Sequence, residues 1–375
     1  MRRICYITGT RADFGLMRST LDLIHRSKAL DLSILITGMH LSREHGYTAG
    51  EIEASGLPIF RTIPVAAGVP SGALMAKHLG EMVIGFTDAL SELKPDLVLV
   101  LGDRGEMLAG ALASVHLNIP VAHIHGGERS GTVDESIRHA ISKFSHFHFV
   151  ATNESRTRLV RMGEREDRVW TVGAPGLDGL RELATLDREA LCCSVGFNPE
   201  GSLALLVYHP VIQEAEQSGA YAAAIVDALV RLGVQTVAVK PNSDAGSLAV
   251  RSVLEDRARA KQIHLAIHLP RPEFISWMAA VDVMTGNSSS GIIEAATFGT
   301  PVVNIGSRQN LRERNANVAD AMNVGETGTA LLRALKGPRF DGRNVYGDGK
   351  SGLRIVKLLE EIDLTQMTGA KANVY

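Results

Sequence analysis

Aromatic residues are scarce: Phe, Trp and Tyr make up 5% of the 375 residues, while glycine occurs 37 times. That mixture suits aliphatic α/β cores with many tight turns better than an all-β sandwich. Cysteine is nearly missing. The three present, Cys5, Cys192 and Cys193, cannot staple a disulfide framework and form no C-x-x-C pair, so a reducing, cytoplasmic compartment is expected. An excess of one charge is missing too. The 39 Lys and Arg against 41 Asp and Glu argue against a protein that binds nucleic acid by neutralising phosphates. No apolar run reaches the roughly 18–20 residues that cross a bilayer, and the amino terminus has no export-type apolar stretch. Neither a membrane partner nor secretion is expected. What is abundant is aliphatic material, with 45% hydrophobic residues and a mean hydropathy of +0.07. The chain is longer than one core usually serves, which makes two domains the expectation.

Short Val/Ile/Leu-rich runs alternate with longer amphipathic segments, the pattern of strands buried on both faces and crossed over by helices. The spacing predicts strands at Arg3–Ile7, Leu32–Ile36, Leu97–Leu101, Val121–Ile124, Phe147–Ala151 and Val169–Val172. A second series follows at Leu203–Tyr208, Thr236–Val239, His264–Ile267, Val281–Met284 and Val302–Ile305. Between the series, Gly173-Ala174-Pro175-Gly176 and the charged stretch Asp178–Arg188 read as a hinge. The expected domains are residues 1–175 and 176–350, with a last helix over Ser351–Glu361 packing back on the first. Cys192-Cys193, placed in the hinge, is read as packing.

Polar residues gather where strands end: Gly9-Thr10-Arg11, Gly38-Met39-His40, Gly102-Asp103-Arg104, His125 to Glu128, His209-Pro210, Asn242-Ser243-Asp244 and Gly286 to Gly291. Strand-to-helix turns favour such residues anyway. Seven of them together point to a ligand crevice outside the carboxyl ends of the strands. The run Gly286-Asn287-Ser288-Ser289-Ser290-Gly291 precedes a helical pattern at Ile292–Phe298 and suits an anion held by backbone N–H groups and hydroxyls. Glu294, one turn later, is placed either to accept ribose hydroxyls or simply to favour the helix start. The turn Gly9 to Gly15 lacks the second glycine of a dinucleotide fingerprint, so a nicotinamide cofactor is not expected and Arg11 reads as a partner for a diphosphate. Asp103, Glu128 and Asp134 are the candidate acids and bases, with His125 and His209 near them. A blander reading gives Asp103 to a helix cap and Asp134 to the cap of Glu135–Lys143. The pairs His123/His125 and His146/His148 alternate as strand residues do, which raises metal binding, but a structural role for them is favoured.

The ordered set Gly9 to Gly15, Gly38-Met39-His40, Leu101 to Arg104, His123-Ile124-His125-Gly126-Gly127-Glu128, Asp134 to His139, His209-Pro210, Asn242 to Ser247, Gly286 to Gly291 with Glu294, and Asn304 to Gln309 closely resembles the hydrolysing UDP-N-acetylglucosamine 2-epimerases of sialic-acid biosynthesis. The resemblance implies a glycosyltransferase-B-type α/β fold, with two Rossmann-like, doubly wound parallel-sheet domains and the nucleotide sugar in the cleft between them. It implies conversion of UDP-N-acetylglucosamine and water to N-acetylmannosamine and UDP, with no metal or nicotinamide cofactor, in a homodimer or homotetramer. It places Arg11, Asp13, Arg104, His209, Asn242, Leu269, Ser288, Ser289, Ser290, Glu294 and Arg308 in substrate binding, and Asp103 and Asp134 in acid/base catalysis. Where animal and non-hydrolysing relatives carry a glutamate this chain has His125, so Glu128 or His125 is expected to fill the second proton-transfer role. The nearest rival within the resemblance is the hydrolysing 2-epimerase of nucleotide-linked 2,4-diacetamido-2,4,6-trideoxyglucose. A glycosyltransferase and a catalytically silent nucleotide-sugar sensor follow.

Overall fold

The computed structural model describes residues 1–375 except 44–45, 70, 131–132, 242–243, 245, 365–370, 372–373 and 375. The first seven strands are β1 (Arg2–Thr8), β2 (Leu30–Thr37), β3 (Ile59–Ile63), β4 (Leu97–Leu101), β5 (Val121–Ile124), β6 (Phe147–Val150) and β7 (Val169–Thr171). They form one parallel sheet in the order β3-β2-β1-β4-β5-β6-β7. The next six are β8 (Leu203–Val207), β9 (Gln235–Val239), β10 (His264–Ala266), β11 (Val283–Gly286), β12 (Val302–Ile305) and β13 (Val318–Ala321). They form a second parallel sheet in the order β10-β9-β8-β11-β12-β13.

Both sheets are buried on both faces, which is why their strands read as unbroken aliphatic runs. In β4, Leu97, Leu99 and Leu101 enter the core under the helix Arg11–Arg26, while Val98 and Val100 enter the core on the other face. Strand β8 alternates likewise, with Leu203, Leu205 and Val207 on one side and Ala204 and Leu206 on the other. The two sheets reverse strand order at the same place, between β1 and β4 and between β8 and β11. Diverging chains leave a crevice at each reversal, beyond the carboxyl ends of the strands.

The strands β3 and β13 escape the hydrophobic pattern. Both are sheet edges, and in Ile59-Phe60-Arg61-Thr62-Ile63 and Val318-Ala319-Asp320-Ala321 only the last residue is buried. Val281 caps the helix Arg271–Ala280 rather than opening β11, which starts at Val283. The helical pattern after the serine run breaks into a short helix Ser289–Ile293 and a 3-10 turn Ala295–Phe298. Cys192 and Cys193 sit in a regular helix, Arg188–Val195, with Cys192 buried and Cys193 exposed.

The last helix, Ser351–Glu361, lies on the helix Arg11–Arg26 at the opposite end of the chain. Ile355, Leu359 and then Ile362 share the core of Met17, Leu21 and Ile24, whereas Leu353 faces outward. Its start is pinned by Asp178, whose carboxylate accepts from the Ser351 N–H at 2.9 Å and the Gly352 N–H at 2.5 Å. Two of the orphan donors that begin any helix are thereby satisfied from the segment that joins the two sheets.

Candidate active site

Between the two order reversals lies a cavity of 320 Å³. Its walls include Arg11, Asp13, Asp103, Arg104, His125, Glu128 and Asp134 from the first half and His209, Leu269, Ser288, Ser289, Ser290, Glu294 and Arg308 from the second. Every candidate from the sequence is there except Asn242, which lies outside the described residues.

The acidic wall is balanced by arginines, several of them from across the cleft. Asp103 follows β4 and pairs with Arg138, a side chain 1% exposed, and with Arg312 at 3.8 Å. It does not cap the following helix, Gly105–His116, whose N-cap is Arg104. Glu128 pairs with Arg312 through Oε2, and its backbone carbonyl accepts from Arg138 at 3.0 Å. Asp134 sits in the first turn of the helix Val133–Phe144, inside it rather than capping it, with Arg308 at 3.7 Å. Burial raises the Asp103 carboxyl, but the guanidiniums of Arg138, Arg312, Arg308 and Arg104 outweigh it and leave Asp103 below the usual carboxylate range. Asp134 goes the other way, raised by burial and by the nearby Asp103 charge against Arg308.

His125 is not a strand residue. It lies beyond β5 with φ at +63°, a left-handed conformation that a non-glycine residue rarely holds and that turns its ring toward Glu128. Nδ1 donates to Glu128 Oε1. Burial, with Arg312 and Arg138 close by, pushes His125 down to about 3. The ring is therefore neutral at physiological pH, and with its proton on Nδ1 it keeps a lone pair on Nε2. His123 is used for structure, through Gly102 O at 2.7 Å and Ser142 Oγ at 3.0 Å, so it does not share a face with His125. His148 is likewise paired, to Glu164 at 3.0 Å. Among the described residues no group of three or more His, Cys, Asp or Glu is placed to hold a metal.

On the other wall, His209 is fixed by its backbone. Its N–H donates to Asn287 Oδ1 and its carbonyl accepts from Asn287 Nδ2, both at 2.8 Å, which ties the end of β8 to the end of β11. Burial, with Arg308 near it, lowers His209 to about 3. The turn at Gly286 has no room for a side chain: φ is +122° and a Cβ would stand 2.1 Å from Val207 O. Ser288 caps the short helix, accepting from the Ser290 N–H at 3.3 Å, and its hydroxyl meets that of Ser290 at 2.8 Å. Arg308 donates to Asn287 O at 3.2 Å, so a guanidinium stands beside the serines.

Two candidates have local duties. Asp13 accepts from the Thr8 hydroxyl, from Gly9 N–H at 3.1 Å and from Thr10 N–H at 2.8 Å, closing the capping box that starts the helix Arg11–Arg26. Burial, opposed by those hydrogen bonds, lifts it to about 6. Glu294 is 1% exposed and holds Arg271, which also reaches Gly176 O at 3.2 Å.

Arg11 donates to His268 Nδ1, and His268 Nε2 donates to Glu51 at 2.6 Å. A histidine from the second half is thus held between two side chains of the first. Arg104 lies between Glu106 at 3.3 Å and Asp244 at 3.6 Å. The residues that sequence reading missed are the cross-cleft partners Arg312 and His268, together with Arg138, Arg271 and Asn287 in their ion-pairing and clamping roles. The one available signal was the density of cations in Arg308 to Arg314, directly after β12.

The family model for UDP-N-acetylglucosamine 2-epimerase matches residues 22–360. A UDP-N,N'-diacetylbacillosamine 2-epimerase (hydrolyzing) of Legionella pneumophila is 48% identical over 376 residues, covering all of both chains. A UDP-N-acetylglucosamine 2-epimerase of Neisseria meningitidis is 35% identical over 97% of this chain and 95% of its own. Among solved structures, a UDP-GlcNAc 2-epimerase of Methanocaldococcus jannaschii in complex with UDP-GlcNAc and UDP is 21% identical and superposes with a TM-score of 0.78, covering 95% of this chain and 99% of that one. The paired α/β sheets facing across a cleft are the glycosyltransferase-B-type arrangement of these neighbours. Motif order, fold and family model agree: the chain belongs to the UDP-N-acetylglucosamine 2-epimerase family.

Proposed function

We propose that the protein is a hydrolysing 2-epimerase that takes a UDP-linked 2,4-diacetamido-2,4,6-trideoxyglucose, releasing UDP and the free 2-epimer. The observation that carries the substrate is the full-length 48% identity to a hydrolysing UDP-N,N'-diacetylbacillosamine 2-epimerase. UDP-N-acetylglucosamine, which the motifs first suggested, becomes the second reading, favoured by the 35% relative of that name.

The chemistry asks for three things. A base must take the C2 proton, C1–O must break with the electron pair leaving on UDP, and water must then add at C1 while a proton returns to C2 from the other face. Asp134 is our base, since burial and the Asp103 charge raise its carboxyl above the ordinary aspartate value and make it the stronger base of the two. The neutral His125, with Nδ1–H on Glu128 and a free lone pair on Nε2, is the group we assign to the opposite face: Nε2 takes a proton from the water adding at C1 and passes it to C2, and Glu128 orients the ring. Asp103, ionised among four guanidiniums, sets the field of the acid wall. Departure of the diphosphate is assigned to Arg11, Arg104, Arg308 and the serine run Ser288–Ser290, whose cations and N–H groups line the same cavity. His209, Leu269 and Glu294 complete the proposed sugar and nucleoside contacts. A homo-oligomer is part of the same reading.

The deciding experiment is proton NMR in D₂O with each UDP-sugar in turn, following UDP release and the configuration and deuteration at C2. Free 2-epimer deuterated at C2, formed faster from the diacetamido sugar, is the expected outcome. Preference for UDP-N-acetylglucosamine would install the second reading, and binding without UDP release would reject both.

A further inference from the structure

The arginine that completes the acid wall comes from the wrong side of the cleft. Arg312 follows β12 in the second half, yet its guanidinium pairs with Glu128 Oε2 and stands 3.8 Å from Asp103 Oδ2, both in the first. Its side chain is 7% exposed and that of Glu128 4%. Its other edge is braced within its own half: Nε donates to Gln309 Oε1 at 2.5 Å, and Gln309 donates to Asn287 O at 3.2 Å. Asn287 is the residue that clamps the His209 backbone. One continuous chain of polar contacts therefore runs from His209 and the serine run to Glu128, His125 and Asp103.

We propose that Arg312 is a positioning residue: it holds Glu128 and Asp103 from the opposite half, so that the proton-transfer groups are assembled only when the cleft is closed. This rests on the function proposed above. A bridge of this geometry acts at no single carboxylate. It fixes two of them, and through Glu128 it sets the ring of His125, in a place where a buried charge left without its partner is strongly unfavourable. Substrate that draws the halves together around its diphosphate brings Arg312 into register, and an open cleft leaves Glu128 and His125 without it. The groups that face the pair are His125 and Arg138 around Glu128, and Arg138, Arg308, Arg104 and Asp134 around Asp103.

The test compares wild type, Arg312→Ala and Arg312→Lys by steady-state kinetics across pH and by small-angle X-ray scattering with and without UDP. In Arg312→Ala, kcat is expected to fall about 100-fold with KM changed less than about threefold, the pattern of misplaced reacting groups and not of lost binding. Its acid limb moves to higher pH, because removing a cation raises the carboxylates that must be ionised. Lysine keeps the charge and cannot span both carboxylates, so Arg312→Lys recovers only part of kcat. If the alanine variant does not fold, the lysine variant carries the same comparison. With UDP present, the wild type contracts and Arg312→Ala does not. An unchanged kcat and pH profile, or a loss confined to KM, overturns the proposal. Should the wild type turn over neither UDP-sugar, the substrate reading falls, and the scattering still decides Arg312: identical contraction in wild type and Arg312→Ala overturns it.

Discussion

Two aspartates at the same wall are pushed in opposite directions, and the proposed mechanism gives them different work on that ground. Asp103 is drawn down by Arg138, Arg312, Arg308 and Arg104 despite its burial, while Asp134 is raised by burial and by Asp103 itself. A base with a raised carboxyl works only above its own value, so the acid limb of kcat is expected above the ordinary aspartate value of 3.8. A limb at or below that value would take the role away from Asp134. Asp134→Asn is expected to lower kcat by at least about 100-fold while calorimetry finds UDP binding retained. Asp103, His125 and Glu128 were legible as polar residues at strand ends, and Asp134 as an acidic residue at the start of a helix. The end of β5 at Ile124 was legible as well, but the φ of +63° that turns His125 toward Glu128 was not, because a non-glycine residue in a left-handed conformation leaves no mark in the hydrophobic pattern.

At the scale of elements, the ends of strands decide what the turns can do. Gly286 closes β11 with φ at +122° and backbone at 2.1 Å from where a side chain would begin. Gly286→Ala is expected to destabilise the protein by about 2 kcal/mol or more and to weaken UDP binding, measured by denaturant unfolding and calorimetry. A second prediction concerns the chain's tail. Glu164 is buried beside His148 at 3.0 Å, Lys143 at 3.0 Å and Lys371 at 2.5 Å, joining β6, the helix Val133–Phe144 and the carboxyl-terminal segment. Burial raises this carboxyl, but its partners win and bring it from 4.5 down to about 2. A lowered folded value means stability that is complete above 4.5 and is lost as pH falls toward 2. Glu164→Gln is thus expected to cost about 3 kcal/mol at neutral pH. Thermal melts of the two proteins should converge as the pH drops through that window, and a gap unchanged by pH would show that packing, not charge, is responsible. Of the four edge strands, β7 and β10 were legible and β3 and β13 were not, since a strand with one open side needs no continuous apolar run.

For the whole molecule, the ends of the chain meet. The helix Ser351–Glu361 supplies Ile355 and Leu359 to the core beneath Arg11–Arg26, and Asp178 pins its first turn. A chain ending before Ser351 exposes that apolar surface and is expected to be insoluble or to melt well below the full chain. Ile355→Ala alone should cost about 3 kcal/mol. Full solubility and an unchanged melting temperature for the shortened chain would show that the helix is dispensable. The two halves also meet directly, through Arg11 and Glu51 on His268, Arg308 on Asp134, Arg104 on Asp244 and Thr152 on Glu313.

What the sequence determined by itself was local: the aliphatic period of the central strands, the break between the two series, the polar turns at their ends, and through the order of those turns the family. These are properties of neighbouring residues, and hydrophobic pattern and turn chemistry report them directly. Only the tertiary structure decided the partners. Arg312 lies 184 residues from Glu128, and Arg11 lies 257 from His268, in the chain. No periodicity spans such distances. These pairs exist because two strand-order reversals face each other and leave one buried space in which opposite charges from both halves must find each other.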